Sequence, residues 1–454
     1  MRRPHKPVLS LTSRGSGFYI ADVKRRNQLL ALFCLLVFFT FGIFYFNYWV
    51  VQKPFGIILF VGEGLDSARL AQARIYAANA ETPLALDALP FTALLRNYSE
   101  DSAVPDQAAA NSALATGVKV KNGALGANAS GRALANLLEM ARESGRMTGL
   151  VTNANLTDPG SAAFYAHQTS HDAPGLARVL VENANVDVVL GGGSLDFLPE
   201  SDGGRRADER DLLTGLAEAG YELVQTREDL EEVPRWRRAK LFGVFNETEL
   251  AFADEAESGA EQPTLADLVR RSIELLQYNR GGYLLVVHAG LMRKAAQEND
   301  GVRTLLETVE LDRAVSIATR YAGVKSLIIV CGDVGLGGLH LNGFPPRGSG
   351  GIELLEENQT PEGPRLTWAT GPNGTKPESA SAPELHLQID AFDPSFMPAP
   401  SALPAAANEP AAAFSETARP TAGDVLAFGT GLGANALHGT LENTRVFEII
   451  RDNL

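Results

Sequence analysis

Cysteine is almost absent, with two residues in a chain of 454. Cys34 lies in the most apolar stretch and Cys331 ends a predicted buried strand, so the two are not expected to meet and no disulfide framework is expected. Zinc-finger spacing of Cys and His is missing, as is any stripe of basic and aromatic residues. Acidic residues number 54 against 40 basic ones, a net charge of −14. That balance repels nucleic-acid phosphate, so nucleic acid is excluded as a partner. No internal repeat occurs. What is present is ordinary for a globular protein: 45% hydrophobic and 21% charged residues, on a chain long enough for a large core.

One long stretch has no charge at all. Between Arg26 and Lys53 no Asp, Glu, Lys, Arg or His intervenes, and Leu29 to Phe46 is almost continuously apolar. Crossing a bilayer takes about 20 such residues, so residues 28–51 are expected to span a membrane. Arg2, Arg3, Lys6, Lys24, Arg25 and Arg26 precede the run, which places residues 1–27 in the cytoplasm, and Tyr45, Tyr48 and Trp49 suit the far interface. Everything from Pro54 onward is then periplasmic or extracellular. A cleaved signal peptide is the alternative, but its apolar region is usually shorter. Here, moreover, bulky Asn47-Tyr48-Trp49-Val50-Val51 stands where small residues would be needed for cleavage.

Downstream, short apolar runs alternate with helical patterns, the signature of a mainly parallel α/β sheet covered by helices. Gly56–Val61, Thr148–Thr152, Val186–Leu190, Tyr283–Val287 and Leu327–Val330 are the predicted strands, and Ala133–Ser144, Leu265–Tyr278 and Thr304–Tyr321 the predicted helices. One domain over 54–454 fits this better than several. Residues 361–420 differ, being rich in Pro, Ala and Ser, and read as an insertion or surface excursion.

In open α/β sheets ligands bind beyond the carboxyl ends of the strands, and the residues there form an ordered set. Gly62-Glu63-Gly64 follows the first strand. Val104-Pro105-Asp106-Gln107-Ala108 opens a small-residue helix ending in Ala115-Thr116-Gly117-Val118-Lys119. Phe164-Tyr165-Ala166-His167, Leu190-Gly191-Gly192-Gly193, Val287-His288-Ala289-Gly290, Glu310-Leu311-Asp312-Arg313 and Val330-Cys331-Gly332-Asp333 follow in turn. In that order and spacing the segments resemble the alkaline phosphatases, from about Phe55 to the C-terminus with a gap over the Pro/Ala-rich stretch. The resemblance implies a mixed, mainly parallel sheet flanked by helices. It also implies hydrolysis of phosphate monoesters through a phosphoserine, with two zinc ions and usually one magnesium. Paired ions of this kind activate the nucleophile and stabilise the leaving oxygen.

Carried over residue by residue, the roles meet substitutions. The nucleophilic serine position holds Gln107, whose amide cannot attack phosphorus, and the arginine that grips phosphate corresponds to His171. Glu63 replaces an aspartate that bridges zinc and magnesium. Gly160 and His288 stand where magnesium is held by a threonine and a glutamate. The first zinc's ligands correspond to Arg293, Gln297 and Thr421, and the second keeps Asp333 while its histidine has become Val334. On this reading neither a catalytic residue nor a metal cofactor is expected. Arg293 is expected instead to fork onto Asp333 or Glu63 in the place of a zinc ion, with Lys294 facing solvent.

Three functional readings follow. The leading one is a membrane-anchored, non-catalytic binding or structural subunit with a protein partner in or beside the membrane; a homodimer is compatible with the family. The second is an active phosphomonoesterase with zinc and magnesium in a site rebuilt from Glu63, Asp106, Asp158, His171, His288 and Asp333. The third is a sensor that binds a phosphorylated ligand through Arg293 and Lys294 without cleaving it. A new metal cluster of His167, His171, His288 and Asp158 is a further alternative, on ligand type alone.

Overall fold

The computed structural model describes residues 16–45, 55–169, 171–237, 240–257, 261–345, 347–348, 350, 365–372, 374 and 413–454. The chain divides into two compact units, residues 1–53 and 54–454. In the first, helix α1 covers Ser16–Tyr45, and its part Lys24–Ile43, with a mean hydropathy of 1.7, is long and apolar enough to cross a membrane. The helix begins well ahead of Gln28. Arg2, Arg3, Lys6, Tyr48 and Trp49 lie outside the described residues, as does most of 361–420.

The second unit is built on one ten-stranded sheet. Its strands in chain order are β1 (Gly56–Gly62), β2 (Phe91–Arg96), β3 (Met147–Asn155), β4 (Val188–Gly192), β5 (Glu222–Val224), β6 (Leu241–Val244), β7 (Tyr283–Ala289), β8 (Leu327–Gly332), β9 (Val425–Thr430) and β10 (His438–Glu442). The spatial order is β10-β2-β9-β8-β1-β7-β3-β4-β6-β5, and β9 alone runs against the other nine. The central strands β1, β7 and β8 are buried at every residue, which is why they read as unbroken apolar runs rather than alternating ones. Their side chains still alternate: Ile57, Leu59 and Val61 enter one core, Ile58 and Phe60 the other. Each such fully buried side chain contributes about 1.5–3 kcal/mol relative to exposure.

Five strands fall where the apolar runs predict them. β2, β5, β6, β9 and β10 are not among the predicted strands. In β2, buried Ala93 and Leu95 alternate with exposed Thr92, Leu94 and Arg96, and β10 is largely exposed, so neither carries a continuous apolar signal. The helix predicted from Ala133 begins only at Leu137 (α4, Leu137–Glu143, after α2 at Ser67–Ala77 and α3 at Gln107–Thr116). There Asn136 and Glu139 close a reciprocal capping box that ends the preceding extended segment. The remaining helices used below are α5 (Leu265–Leu276), α6 (Leu291–Gln297), α7 (Gly301–Tyr321) and α8 (Thr444–Arg451).

With β1 lying between β7 and β8, chain connections leave in both directions from the sheet's middle. This opens a crevice beyond the carboxyl ends of those three strands. Cys331 is buried in β8 and Cys34 exposed on α1, both as free thiols.

Candidate functional site

Glu63 leaves the end of β1 and is 2% exposed. The turn that carries it needs glycine at Gly64, where φ is +75° and a Cβ would lie 2.3 Å from the Arg69 guanidinium. Arg69, fully buried on α2, donates to the Glu63 carbonyl at 2.7 Å and sets a second cation behind the site. In front, the short helix α6 projects Arg293 across the crevice. Its Nε donates to Glu63 Oε2 at 2.9 Å, and its terminal nitrogen donates to Asp158 Oδ2. His288, in β7 and wholly buried, meets the other oxygen of Glu63 through Nε2 at 2.9 Å. Its Nδ1 faces the hydroxyls of Thr152 at 3.0 Å and Ser161 at 3.1 Å.

Two carboxylates and two basic groups thus interlock. Burial pulls the His288 pKa down, but the carboxylates around it, Glu63 first and then Asp158 and Asp333, together more than offset this, so the imidazole holds its proton above the ordinary value. Burial likewise opposes ionisation of Asp158, and here Arg293 and His288 prevail, keeping its carboxyl below the usual range. Glu63 is lifted by burial in spite of both cations. Gly160 is the space that makes this possible: a Cβ there would lie 2.1 Å from His288 Nε2 and 2.7 Å from Gln107 Nε2. Any larger residue at 160, threonine included, would collide with the imidazole.

Asp333, after β8, takes no part in that ion network. Its Oδ1 accepts from the backbone N–H of Gly64 at 3.0 Å and of Val334 at 2.6 Å, and its Oδ2 accepts from the Asn111 amide at 3.0 Å. These neutral donors and the charge of His288 do not overcome desolvation, and its pKa is raised by burial. The expected fork of Arg293 onto Glu63 is present, whereas the place offered to Asp333 is taken by Asp158. Asp106 caps α3, accepting from Ala109 N at 2.8 Å and Gly123 N at 2.6 Å. Gln107 follows as the first residue of that helix. Its buried side-chain Nε2 has no hydrogen-bond partner among the described residues.

A cavity of 640 Å³ opens onto these groups, lined by Glu63, Asp106, Gln107, Arg293, Gln297, Asp333, Val334 and Leu336, with the segment Phe414–Pro420 as its far wall. Three of the expected site residues fall elsewhere. Thr421 lies just beyond that wall, paired with Gly335 in a short antiparallel bridge. His171 is exposed and does not line the cavity, because it precedes a surface helix. Lys294 points away toward Glu249 at 3.5 Å and Glu298 at 3.8 Å. The alternative cluster of His167, His171, His288 and Asp158 does not assemble: His167 is held by Glu139 at 2.9 Å and the Gly126 carbonyl at 3.0 Å. Among the described residues, no three His, Cys, Asp or Glu side chains are arranged to hold a metal ion. Nothing in the sequence singles out Arg69 and Asn111, since each lies inside a helix with no pattern that separates it from a surface residue.

The chain matches the family model "Alkaline phosphatase" over residues 56–454. Alkaline phosphatase H of Pseudomonas aeruginosa is 31% identical over 332 residues, covering 62% of this chain and 69% of that protein. The membrane-bound alkaline phosphatase of Bombyx mori is 28% identical over 381 residues, 71% of this chain and 69% of that one. Among solved structures, the alkaline phosphatase of Thermus thermophilus superposes with a TM-score of 0.68 at 23% identity, covering 89% of this chain and 92% of the other. That of the Antarctic bacterium TAB5 gives 0.66 at 17%, covering 88% and 98%. These last two likenesses are of fold.

Proposed function

The chain belongs to the alkaline phosphatase family, and from that premise we propose that it is a non-catalytic member in which an ion network has taken the place of the metal centre. The observation that carries this reading is the Arg293 guanidinium bridging Glu63 and Asp158. A fixed positive charge on the carboxylates that would otherwise attract a cation repels one directly. Gly160, Val334 and His288 offer no hard oxygen ligand, and the residues do not fit a pair of zinc ions with magnesium. Gln107 has no nucleophilic atom, so the position that would attack phosphorus is chemically inert. The cavity beside Asp333 remains as a binding surface on a domain that we read as residues 54–454. That domain is anchored by residues 28–51, has residues 1–27 in the cytoplasm, and serves as a binding or structural subunit beside the membrane.

The test is a p-nitrophenyl phosphate assay at alkaline pH with zinc and magnesium present. No turnover is expected from the wild type or from Gln107→Ser, since a hydroxyl without an activating ion stays protonated. Turnover that disappears in Glu63→Ala or Asp333→Ala would overturn the reading. It would establish in its place an active phosphomonoesterase, the reading that family membership and a cavity at the carboxyl ends of the strands favour.

A further inference from the structure

The amino ends of the strands, opposite the cavity, carry an unusual surface. The loop before β7 exposes Tyr278 (50%), the loop before β8 exposes Val324 (97%), and the turn after the antiparallel β9 exposes Leu432 (55%). Leu432 lies beside the β8 loop, its N–H donating to the Lys325 carbonyl at 3.3 Å. These loops also expose Arg280 and Lys325, and 277–282, 322–326 and 431–436 contain no acidic residue; Asp452, next to the Asn453 that packs on Gly433, borders the patch and is paired with Arg451. β9, β8, β1 and β7 are neighbours in that order. At about 4.8 Å per strand the three side chains therefore fall across a patch roughly 14 Å wide. β1 starts in the middle of it.

Residues 46–55 join the apolar helix α1 to β1. Ten residues reach at most roughly 35 Å even when fully extended. If α1 crosses a bilayer, the amino end of β1 is therefore tethered within that distance of the lipid surface, and the patch surrounds this point of attachment. We propose that this rim is a lipid-docking face. Tyr278, Val324 and Leu432 enter the headgroup region and Arg280 and Lys325 meet anionic headgroups, so the domain sits with its cavity turned away from the membrane. The proposal rests on the reading of α1 as a membrane anchor.

The full chain in a Cys34→Ser background, reconstituted into phosphatidylcholine vesicles with and without phosphatidylglycerol, tests it. An environment-sensitive thiol dye is placed by Val324→Cys on the rim, by Tyr98→Cys beyond the carboxyl end of β2, or by Phe38→Cys in α1. All three positions are exposed, and the remaining Cys331 is buried. Headgroup spin labels should quench the dye at 324 several-fold more than the dye at 98. Arg280→Glu with Lys325→Glu should reduce that quenching on anionic vesicles only. Equal quenching at 324 and 98, while the dye at 38 is strongly quenched by acyl-chain labels, overturns the docking face and leaves the anchor standing. A dye at 38 out of reach of those labels overturns the anchor, and the docking face with it. Shielding at 324 that is the same in detergent as in vesicles would assign the rim to a protein contact and overturn lipid docking.

Discussion

Asp158 and Asp333 are the same residue type, both buried beside one cavity, and they are stabilised in opposite ways. Asp158 meets a guanidinium and lies near an imidazole, and its carboxyl is held below the usual range. Asp333 receives two backbone N–H groups and an amide, a comparable number of hydrogen bonds, and is raised. Asp158 shows that a nearby guanidinium can offset desolvation, whereas hydrogen bonds from neutral donors with only a more distant imidazolium leave Asp333 short. Glu63 stays raised even with both cations in contact. A metal ion would supply such charge. Here Arg293 supplies it on one side of the cavity only.

The largest effect should come from removing that charge. Arg293→Ala strands Glu63 and Asp158 together and should cost roughly 3–5 kcal/mol, as breaking a buried pair by deleting one partner does. Chemical denaturation would measure it, and an unchanged midpoint would mean that the network adds nothing. The next test extends the contrast to a carboxyl with little opposing charge. Glu307 on α7 accepts from Ala253 N at 2.7 Å and Asn153 Nδ2 at 3.2 Å, and burial pushes it up to about 8. An acid whose folded pKa lies above its unfolded value binds its proton more tightly when folded. Stability from this group is therefore complete below pH 4.5 and drains away as pH rises through about 8, by an amount on the order of a few kcal/mol. Melting temperatures measured across that window should fall in the wild type and fall less in Glu307→Gln.

Asp333→Asn should be mild, shifting stability by less than about 1.5 kcal/mol, because Gly64 and Val334 can still donate to the amide oxygen. Asn111 Oδ1, buried without a partner, can accept the new N–H if the amide turns over, at the loss of its donation to the Gln107 carbonyl. A loss as large as that of Arg293→Ala would erase the contrast between the two aspartates. Lys294→Ala should do least, within about 0.5 kcal/mol, since its ion pairs lie at the surface.

Much of this is legible in the chain without its fold. The central strands announce themselves because burial on both faces demands continuous apolar residues, as in Leu284-Leu285-Val286-Val287. β2 and β10 do not, since partly exposed strands need no such run. Glu63 and Arg293 are readable as ion-pair partners because motif matches flank them closely. Asp158 as the second partner is not, since nothing local tells which carboxylate a long guanidinium will reach. Thr421 is separated by a long insertion from the motifs that anchor the rest of the site, and it lies just outside the cavity. Arg69 and Asn111 act through tertiary geometry alone.

The central claim is that Arg293 stands where a cation would otherwise bind, and zinc titration of the purified full chain tests it most directly. Metal content should be measured by mass spectrometry after equilibration with zinc and removal of the excess. The account predicts far less than one zinc per chain for the wild type. One or two zinc ions per chain, lost in Glu63→Ala and in Asp333→Ala, would contradict it.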